Sequence, residues 1–471
     1  MKIAFVDPKG IHFGLNTGIA YIASSLKKMG WSGIRVFDFN NNTTRRDERL
    51  EELSSYDVIG FSVKSFTKED VVAIASQLKR SGNILVAGGP HISLDGMNFL
   101  IENTSFDYAI PGEGEYSMVQ LIEVIEGKEK LENIKGIIYR KEGTPIANGD
   151  AERIIDLDAL PFPDYCSFDS ILDGRIYNYP LVTSRGCPYQ CTYCCVRRIM
   201  GKQWTAHSVG KIVAELKEVQ EKYSSKVFNV QDDNFTLDMQ RALNFCDAIV
   251  REGMTFKWSC PNGIRADRID EKLIGSMKRA GCFMVAFGIE SANGKEFNSI
   301  KKGENLQDIV TAVSFAQKQG IYVVGNFIIG LPYSNLASIH ESIRFAKTLR
   351  LEACVFNLLV PFPGTEIWAW VKNNGRLLMD WREGFTQGGE PKVVFETDDF
   401  PLRDRIQAYY EANIKCNNYF AFMDEHDSMF KNIWNIMKAI FRYDRINFHN
   451  HIAWVIRHSG RIIARITKKN A

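Results

Sequence analysis

Residues 181–194 read LVTSRGCPYQCTYC, an apolar pair, a turn through Ser184 and Gly186, then Cys187, Cys191 and Cys194 within eight residues. The apolar start reads as a buried strand that delivers its last residues into a loop. Three thiolates on one loop can each hold one iron of a cubane cluster and leave the fourth iron open to a ligand. Zinc is the competing metal and prefers four ligands in a tetrahedron. Cys195 directly follows Cys194 and is poorly placed to close the same site, and His207 is remote in sequence. On spacing alone, a cluster and a zinc or structural site both stand. The ten cysteines show no regular pairing, and in a long cytosolic chain they are expected to stay reduced.

Working outward, this strand is the first of six apolar runs, at 181–184, 227–230, 256–259, 284–287, 323–329 and 354–359. Helical stretches such as 209–222 and 308–319 separate them. Six such units predict a partial (β/α)6 TIM-type barrel with its chemistry at the strand C-termini. Upstream, runs at 1–6, 57–63, 84–87 and 108–110 alternate with helices at 18–29 and 68–78, which predicts a doubly wound, Rossmann-like parallel sheet. Its strands end in Gly88-Gly89-Pro90 and Pro111-Gly112-Glu113, and ligands of such sheets lie beyond those ends. Residues 151–180, with DLDALPFPDY, read as an extended connector. The α/β chain thus divides into 1–150, a linker at 151–180, the barrel at 181–385 and a helical C-terminal region at 386–471.

A chain of 471 residues with 45% hydrophobic and 24% charged residues is an ordinary globular protein with room for two or three domains. It has no basic-then-apolar leader and no apolar run of membrane-spanning length, so a cytoplasmic protein is expected. The net charge of +2 conceals an asymmetry: from Lys431 onward nine Lys or Arg oppose the single acid Asp444, a net +8 that leaves −6 for residues 1–430. Phe430, Ile433, Trp434, Met437, Ile440 and Phe441 fall at helical spacing, and Ile452, Val455, Ile456, Ser459, Ile463 and Ile466 form a second stripe opposite Arg457, Arg461 and Arg465. This pattern is either an amphipathic helix packed on the body or a peripheral contact with an anionic membrane surface. Aromatics do not interleave with the basic residues, which argues against nucleic acid.

The motif GCPYQCTYC resembles the radical S-adenosylmethionine superfamily. The resemblance runs through residues 229–235 (NVQDDNF), 287–291 (FGIES), 325–332 (GNFIIGLP) and 361–365 (PFPGT). It implies that Cys187, Cys191 and Cys194 ligate a [4Fe–4S] cluster whose open iron chelates S-adenosylmethionine. One electron from an external reductant of flavodoxin or ferredoxin type then yields methionine and a 5′-deoxyadenosyl radical. Asp232 and Asp233 are candidates to accept from the methionine ammonium, or to cap a helix. Glu290 either bridges the ribose hydroxyls or forms a salt bridge. Arg265 pairs the methionine carboxylate or a neighbouring acid. Gly325, Gly330 and Pro332 flank the fifth strand, where they admit the adenosine or simply end the strand. Cys260 and Cys282 read as packed thiols.

Residues 1–150 are similar to the cobalamin-binding domains that precede many such radical domains, through Gly18-Ile-Ala-Tyr, Gly88-Gly89-Pro90-His91 and Gly112-Glu113. No D-x-H-x-x-G motif occurs, so neither His12 nor His91 is nominated as a cobalt ligand. Together the resemblances imply a cobalamin-dependent methyltransferase acting on an unreactive carbon of a small-molecule or lipid substrate. The alternatives are a non-methylating rearrangement, cyclisation or oxidation with the same cofactors, or a non-catalytic corrinoid or electron carrier.

Overall fold

In the N-terminal sheet five short apolar strands pair in parallel: β1 (Ile3–Asp7), β2 (Ile34–Asp38), β3 (Val58–Ser62), β4 (Ile84–Gly88) and β5 (Tyr108–Ile110). Helices α1 (Thr17–Lys28), α2 (Arg46–Leu53), α3 (Lys68–Lys79) and α4 (Pro90–Glu102) connect them, and α5 (Glu115–Ile125) follows. An antiparallel hairpin, β6 (Ile138–Lys141) and β7 (Thr144–Ala147), completes the order β2-β1-β3-β4-β5-β6-β7. The chain runs from β1 outward to β2 and then crosses to β3 on the other side of β1. The ends of β1 and β3 are therefore a switch point, where a doubly wound sheet opens a crevice. The computed structural model describes all residues except 11–13, 80–81, 386–390, 424–428, 445–446, 448–450 and 452–471. His12, Arg457, Arg461, Arg465 and the stripe from Ile452 to Ile466 lie outside the described residues.

Two strand assignments differ from the sequence pattern. β2, IRVFD, is an edge strand whose mixed polarity hides it, and the β6–β7 hairpin is half exposed. The connector at 151–180 docks on β2: Val36 donates to Ser167 O at 2.8 Å, and Asp169 N donates to Val36 O at 3.0 Å. An edge strand left open pairs with other chains, and this segment covers it. Arg49 on α2 fixes the segment through Asp169 at 2.7 Å, both side chains about 8% exposed.

The chain forms two compact units: Met1–Pro188 with Cys195–Phe235 and Gln240–Asn262, and Tyr189–Cys194 with Thr236–Met239 and the described residues from Gly263 onward. In the first, β8 (Tyr179–Leu181) ends earlier than the sequence suggests, because Val182-Thr183 turns the chain into the two-residue β9 (Ser184–Arg185). After α6 (Val196–Ile199), β10 (Thr205–Ala206) and α7 (Val209–Tyr223), β11 (Val227–Val230) pairs in parallel with β8. Helix α8 (Met239–Arg251) and β12 (Lys257–Ile264) follow, β12 pairing with β11. Phe228 stacks on Trp258 at 5.7 Å, and Phe235 and Phe245 meet Trp258 edge-on. That aromatic core clamps the loop after β11.

In the second unit, α9 (Glu271–Arg279), β13 (Cys282–Glu290), α10 (Gly294–Ser299), α11 (Leu306–Lys318), β14 (Tyr322–Ile329), α12 (Leu336–Thr348) and β15 (Ala353–Leu358) continue the strand–helix alternation, with β14 parallel to β13 and β15. Capping boxes start α11 and α12, through Asn305 with Asp308 and Asn335 with Ser338. Then come α13 (Glu366–Asn374), α14 (Leu402–Lys415) and α15 (Met429–Tyr443). Helix α15 packs through Ile436, Ala439 and Ile440, whereas Phe430 is 80% and Trp434 69% exposed. Ile433 and Phe441 are also exposed, so most of the stripe read from the sequence faces away from the body. A helix this apolar presents two hydrophobic faces, and periodicity alone did not say which one packs.

Changing Asp169 to Ala leaves the buried Arg49 guanidinium without its counter-charge. Loss of one partner of a buried pair costs about 3–5 kcal/mol. The first urea transition of the variant is expected to move to lower denaturant. An unshifted transition would show that the connector is not held by this pair.

Candidate functional site

In the first unit the loop after β11 grips the turn that leads to the first cysteine. Asp232 accepts from Thr183 N at 2.6 Å, Thr183 Oγ1 at 2.5 Å and Ser184 Oγ at 2.6 Å. Asp233 accepts from Gly186 N at 2.8 Å. Asn234 donates from Nδ2 to Cys187 Sγ at 3.7 Å. Three successive side chains thus hold residues 183–187. Burial pushes the Asp232 and Asp233 carboxyls up, offset for Asp232 by Arg241 and the Thr183 and Ser184 bonds, and for Asp233 by the Gly186 amide. Asp232 has both carboxylate oxygens occupied by these bonds, while among the described residues Asp233 accepts from the Gly186 amide alone.

The same turn is tied to the N-terminal sheet. Arg185, two residues before Cys187, donates to Glu113 at 2.8 Å and Glu115 at 2.7 Å, and its guanidinium lies 4.9 Å from the Tyr21 ring centroid. Glu113 also pairs with Arg153 at 2.7 Å and accepts from Ile154 N at 2.8 Å. Both Glu113 oxygens, read from the sequence as cobalamin contacts, are thereby engaged by the protein. His207 sits against Asp158 at 3.2 Å, and burial lowers its pKa to about 4, so it is neutral. Burial pushes the Cys195 thiol up to about 11. The half-buried Cys187 accepts an amide N–H, which suits a thiolate ligand to iron.

In the second unit, residues 189–194 carry the other two cysteines and are anchored at nearly every position. Arg265 lies 3.5 Å from the Tyr189 ring centroid, and Arg268 Nε donates to Tyr189 Oη at 3.0 Å. Thr192 N donates to Ile300 O, and Ile367 N to Thr192 O, both at 3.0 Å. Tyr193 donates to Glu290 Oε1 at 2.7 Å, and Lys302 Nζ lies 3.2 Å from the same oxygen. Glu290 holds φ at +63°, and the β13–β14 register shifts between Gly288 and Glu290. A non-glycine residue in the left-handed region is strained, and such strain persists where surrounding structure over-determines it, often at functional sites. Burial works against the Lys302 charge, but Glu290 and Glu304 outweigh it and keep the amine protonated.

Arg265 finds the neighbouring acids: Asp267 at 2.8 Å and Glu304 at 3.5 Å, with Nη1 donating to Lys302 O at 2.9 Å. Its buried Nη2 has no hydrogen-bond partner among the described residues, which leaves one donor for an anion. Gly325 and Gly330 have packing reasons for lacking a side chain. A Cβ at Gly325 would fall 2.5 Å from Leu351 Cδ1, and one at Gly330 (φ +100°) would collide with the Arg405 guanidinium. Pro332 is buried in the turn after β14. Cys260 and Cys282 are buried, the latter thiol pushed up to about 12 by burial. Sequence reasoning did not single out Tyr193, Arg185 or Asn234, although they lie inside the quoted stretches 181–194 and 229–235, nor Lys302, for which the sequence carries no signal.

At the switch point of the N-terminal sheet, Asn16 caps α1 and donates to Asp7 Oδ1 at 2.8 Å and Ser62 Oγ at 2.9 Å. Lys64 lies 3.3 Å from the same Asp7 oxygen, while Oδ2, fully buried, has no hydrogen-bond partner among the described residues. An orphaned carboxylate oxygen suits an amide donor of a bound corrinoid. Gly89 has φ +96°, and a Cβ there would lie 3.0 Å from the Val63 backbone. Gly88 ends β4, Gly18 lies in the first turn of α1, and Gly112 N donates to Ser93 Oγ at 2.9 Å. His91 is fully buried in α4, with Nδ1 3.1 Å from Ser65 Oγ and its ring edge-on to Phe99, so it is not presented to a cofactor.

The family description "Radical SAM superfamily" matches residues 181–346, and "B12 binding domain" matches residues 12–122. The chain is 30% identical to an uncharacterised methyltransferase of Pyrococcus horikoshii over 373 residues, 78% of this chain and 80% of that one. It is 22% identical to the anaerobic magnesium-protoporphyrin IX monomethyl ester cyclase of Cereibacter sphaeroides, over 78% of this chain and 63% of that protein. The solved structure of the radical S-adenosylmethionine methyltransferase TsrM from Kitasatospora setae, with cobalamin and a [4Fe–4S] cluster bound, shares the fold: TM-score 0.74 at 15% identity, over 98% of this chain and all (100%) of that one.

Changing Cys187, Cys191 or Cys194 to Ala should abolish a content of about four irons per chain and the visible thiolate-to-iron band. Cys195→Ala should retain both. Zinc in place of iron, with no reconstitution, would contradict the assignment.

Proposed function

The chain belongs to the radical S-adenosylmethionine superfamily, in its B12-binding branch, and from that premise we propose that it methylates an unreactive carbon of a small-molecule or lipid substrate. It is a radical S-adenosylmethionine enzyme of the cobalamin-dependent methyltransferase family, with a [4Fe–4S] cluster, S-adenosylmethionine and cobalamin as cofactors. When bound, these groups supply an electron, a 5′-deoxyadenosyl radical and a methyl carrier. Residues 1–150 serve the corrinoid, 151–180 are the linker, 181–385 serve the radical chemistry and 386–471 form the C-terminal region.

The observation that carries the reading is the Tyr193–Glu290 hydrogen bond at 2.7 Å. It links the loop bearing Cys191 and Cys194 to the acid at the end of β13. Tyr193 and Lys302 both meet Oε1, which leaves Oε2 to accept the ribose hydroxyls of S-adenosylmethionine. Arg265 Nη2 offers its unpartnered N–H to the methionine carboxylate. Asp233 is the candidate acceptor for the methionine ammonium, since Asp232 is already fully bonded. Gly325, Gly330 and Pro332 shape the adenosine side, the first two chiefly by admitting Leu351 and Arg405. Asp7 and Gly89 hold the corrinoid at the switch point, joined by Gly18, Gly88 and Gly112. Glu113 acts through Arg185.

Similarity to the anaerobic cyclase favours, as a second reading, an oxidative cyclisation with the same cofactors. A flavodoxin- or ferredoxin-type protein supplies the electron. Among the described residues no helix is long and apolar enough to cross a membrane. The exposed Phe430 and Trp434 of α15, beside Lys431, Lys438 and Arg442, support a cytoplasmic protein that touches an anionic membrane surface peripherally.

Loss of a hydrogen-bonded carboxylate costs about 1.5–3 kcal/mol, so Glu290→Ala should weaken S-adenosylmethionine binding by roughly ten- to a hundredfold with iron content unchanged. Unaltered affinity would make Glu290 purely structural. Anaerobic turnover should release both 5′-deoxyadenosine and S-adenosylhomocysteine. Formation of 5′-deoxyadenosine alone would sink methyl transfer and favour the cyclisation. Sedimentation with phosphatidylglycerol vesicles should be lost in Phe430→Ser/Trp434→Ser, and a variant that still sediments would refute the α15 contact.

A further inference from the structure

Cys187 differs from an ordinary loop cysteine in what faces its sulfur. Asn234 donates its amide N–H to Cys187 Sγ at 3.7 Å, and Asn234 itself is 2% exposed. The side chain is not placed there by chance packing. On one side, Phe235 is 1% exposed and lies edge-on to Phe245 at 5.7 Å and Trp258 at 5.9 Å. On the other, Asp233 holds Gly186 N, next to the cysteine itself. The Asn234 carbonyl accepts from Trp204 Nε1 at 3.3 Å. The backbone of Asn234 is thus fixed on three sides, and its amide is aimed at one sulfur. Its Oδ1, buried, has no hydrogen-bond partner among the described residues, so the side chain is not held there by its acceptor end. The sulfur contact is the polar bond that its side chain makes.

We infer that Asn234 sets the reduction potential of the cluster by donating to the Cys187 thiolate. The inference rests on the reading of Cys187 as a cluster ligand. Reduction adds one electron, supplied by the external reductant, and the added negative charge spreads over iron, sulfide and thiolate sulfur. An N–H donor aimed at that sulfur stabilises the reduced form more than the oxidised one and raises the potential. In a half-buried site the difference is expressed more fully than in water. Asn234 is a positioning and tuning group here. It touches a ligand atom and has no part in substrate chemistry.

The test is a mediator titration of the anaerobically reconstituted full chain, followed by electron paramagnetic resonance without S-adenosylmethionine or substrate. Asn234→Leu keeps the branching of the side chain and removes the donor. Asn234→Asp keeps the shape and presents oxygens instead. Both are expected to retain the iron content of the unaltered chain. In Asn234→Leu the reduced-to-oxidised ratio at a fixed poise should fall about tenfold, a shift of about 59 mV to lower potential for one electron, and Asn234→Asp should fall further. Retained iron with an unchanged potential in both variants would overturn the inference. Loss of iron from both, with helix content and corrinoid binding intact, would also overturn it and make Asn234 a clamp on the loop. Absence of iron from the unaltered chain would instead overturn the cluster assignment on which the inference rests.

Discussion

The Arg185 guanidinium is the interaction on which the first unit turns. Its side chain is about 8% exposed and binds Glu113 and Glu115 at 2.8 and 2.7 Å. Burying a guanidinium is costly unless carboxylates meet it in good geometry, and here two do, with Tyr21 beneath the plane. Because Arg185 stands two residues before Cys187, the turn that leads to this cysteine is fixed to the loop after β5 and to the first residue of α5. The end of the N-terminal sheet and the start of the cysteine loop are thereby one piece of structure. Neither can shift without exposing or unpairing a buried charge.

A second fixed point lies in the other unit. Tyr193, Lys302 and the register shift in β13 hold Glu290 at a positive φ. An isolated β13 would have no reason to keep a glutamate in that region of backbone space. The loop of residues 189–194 adds Tyr189 under Arg265 and Thr192 bonded to two backbone groups. The polypeptide around the cysteines is therefore ordered by side-chain and backbone bonds of its own. This suits a site that must exclude water and hold a cofactor without reorganising.

Much of the architecture was legible along the chain. Strands at 84–87, 108–110 and 227–230, and helices at 68–78 and 209–222, lie within one or two residues of their expected bounds, because long apolar periodicity outweighs local context. β2 and the β6–β7 hairpin were not legible, since edge and half-exposed strands lose the apolar signal. Only packing decided that the α15 stripe around Phe430 and Trp434 faces outward, because either face of that helix is apolar enough to bury.

The site divides in the same way. Cys187, Cys191 and Cys194 were visible in the sequence as three cysteines within eight residues, but their spacing alone left a cluster and a zinc site both open. Glu290, Asp232 and Asp233 were legible as acids at strand ends. Their division of labour was not, because it depends on who occupies each oxygen: Thr183 and Ser184 occupy Asp232, while Tyr193 takes one oxygen of Glu290. Gly325 and Gly330 were visible as glycines, but their reason, the approach of Leu351 and Arg405, comes from residues 26 and 75 positions away. Arg185 and Asn234 lie inside quoted motifs without a local mark of their roles, and Lys302 carries no local pattern at all. A hydrogen bond or buried ion pair between distant residues depends on where folding places two side chains, and that only the tertiary structure decided.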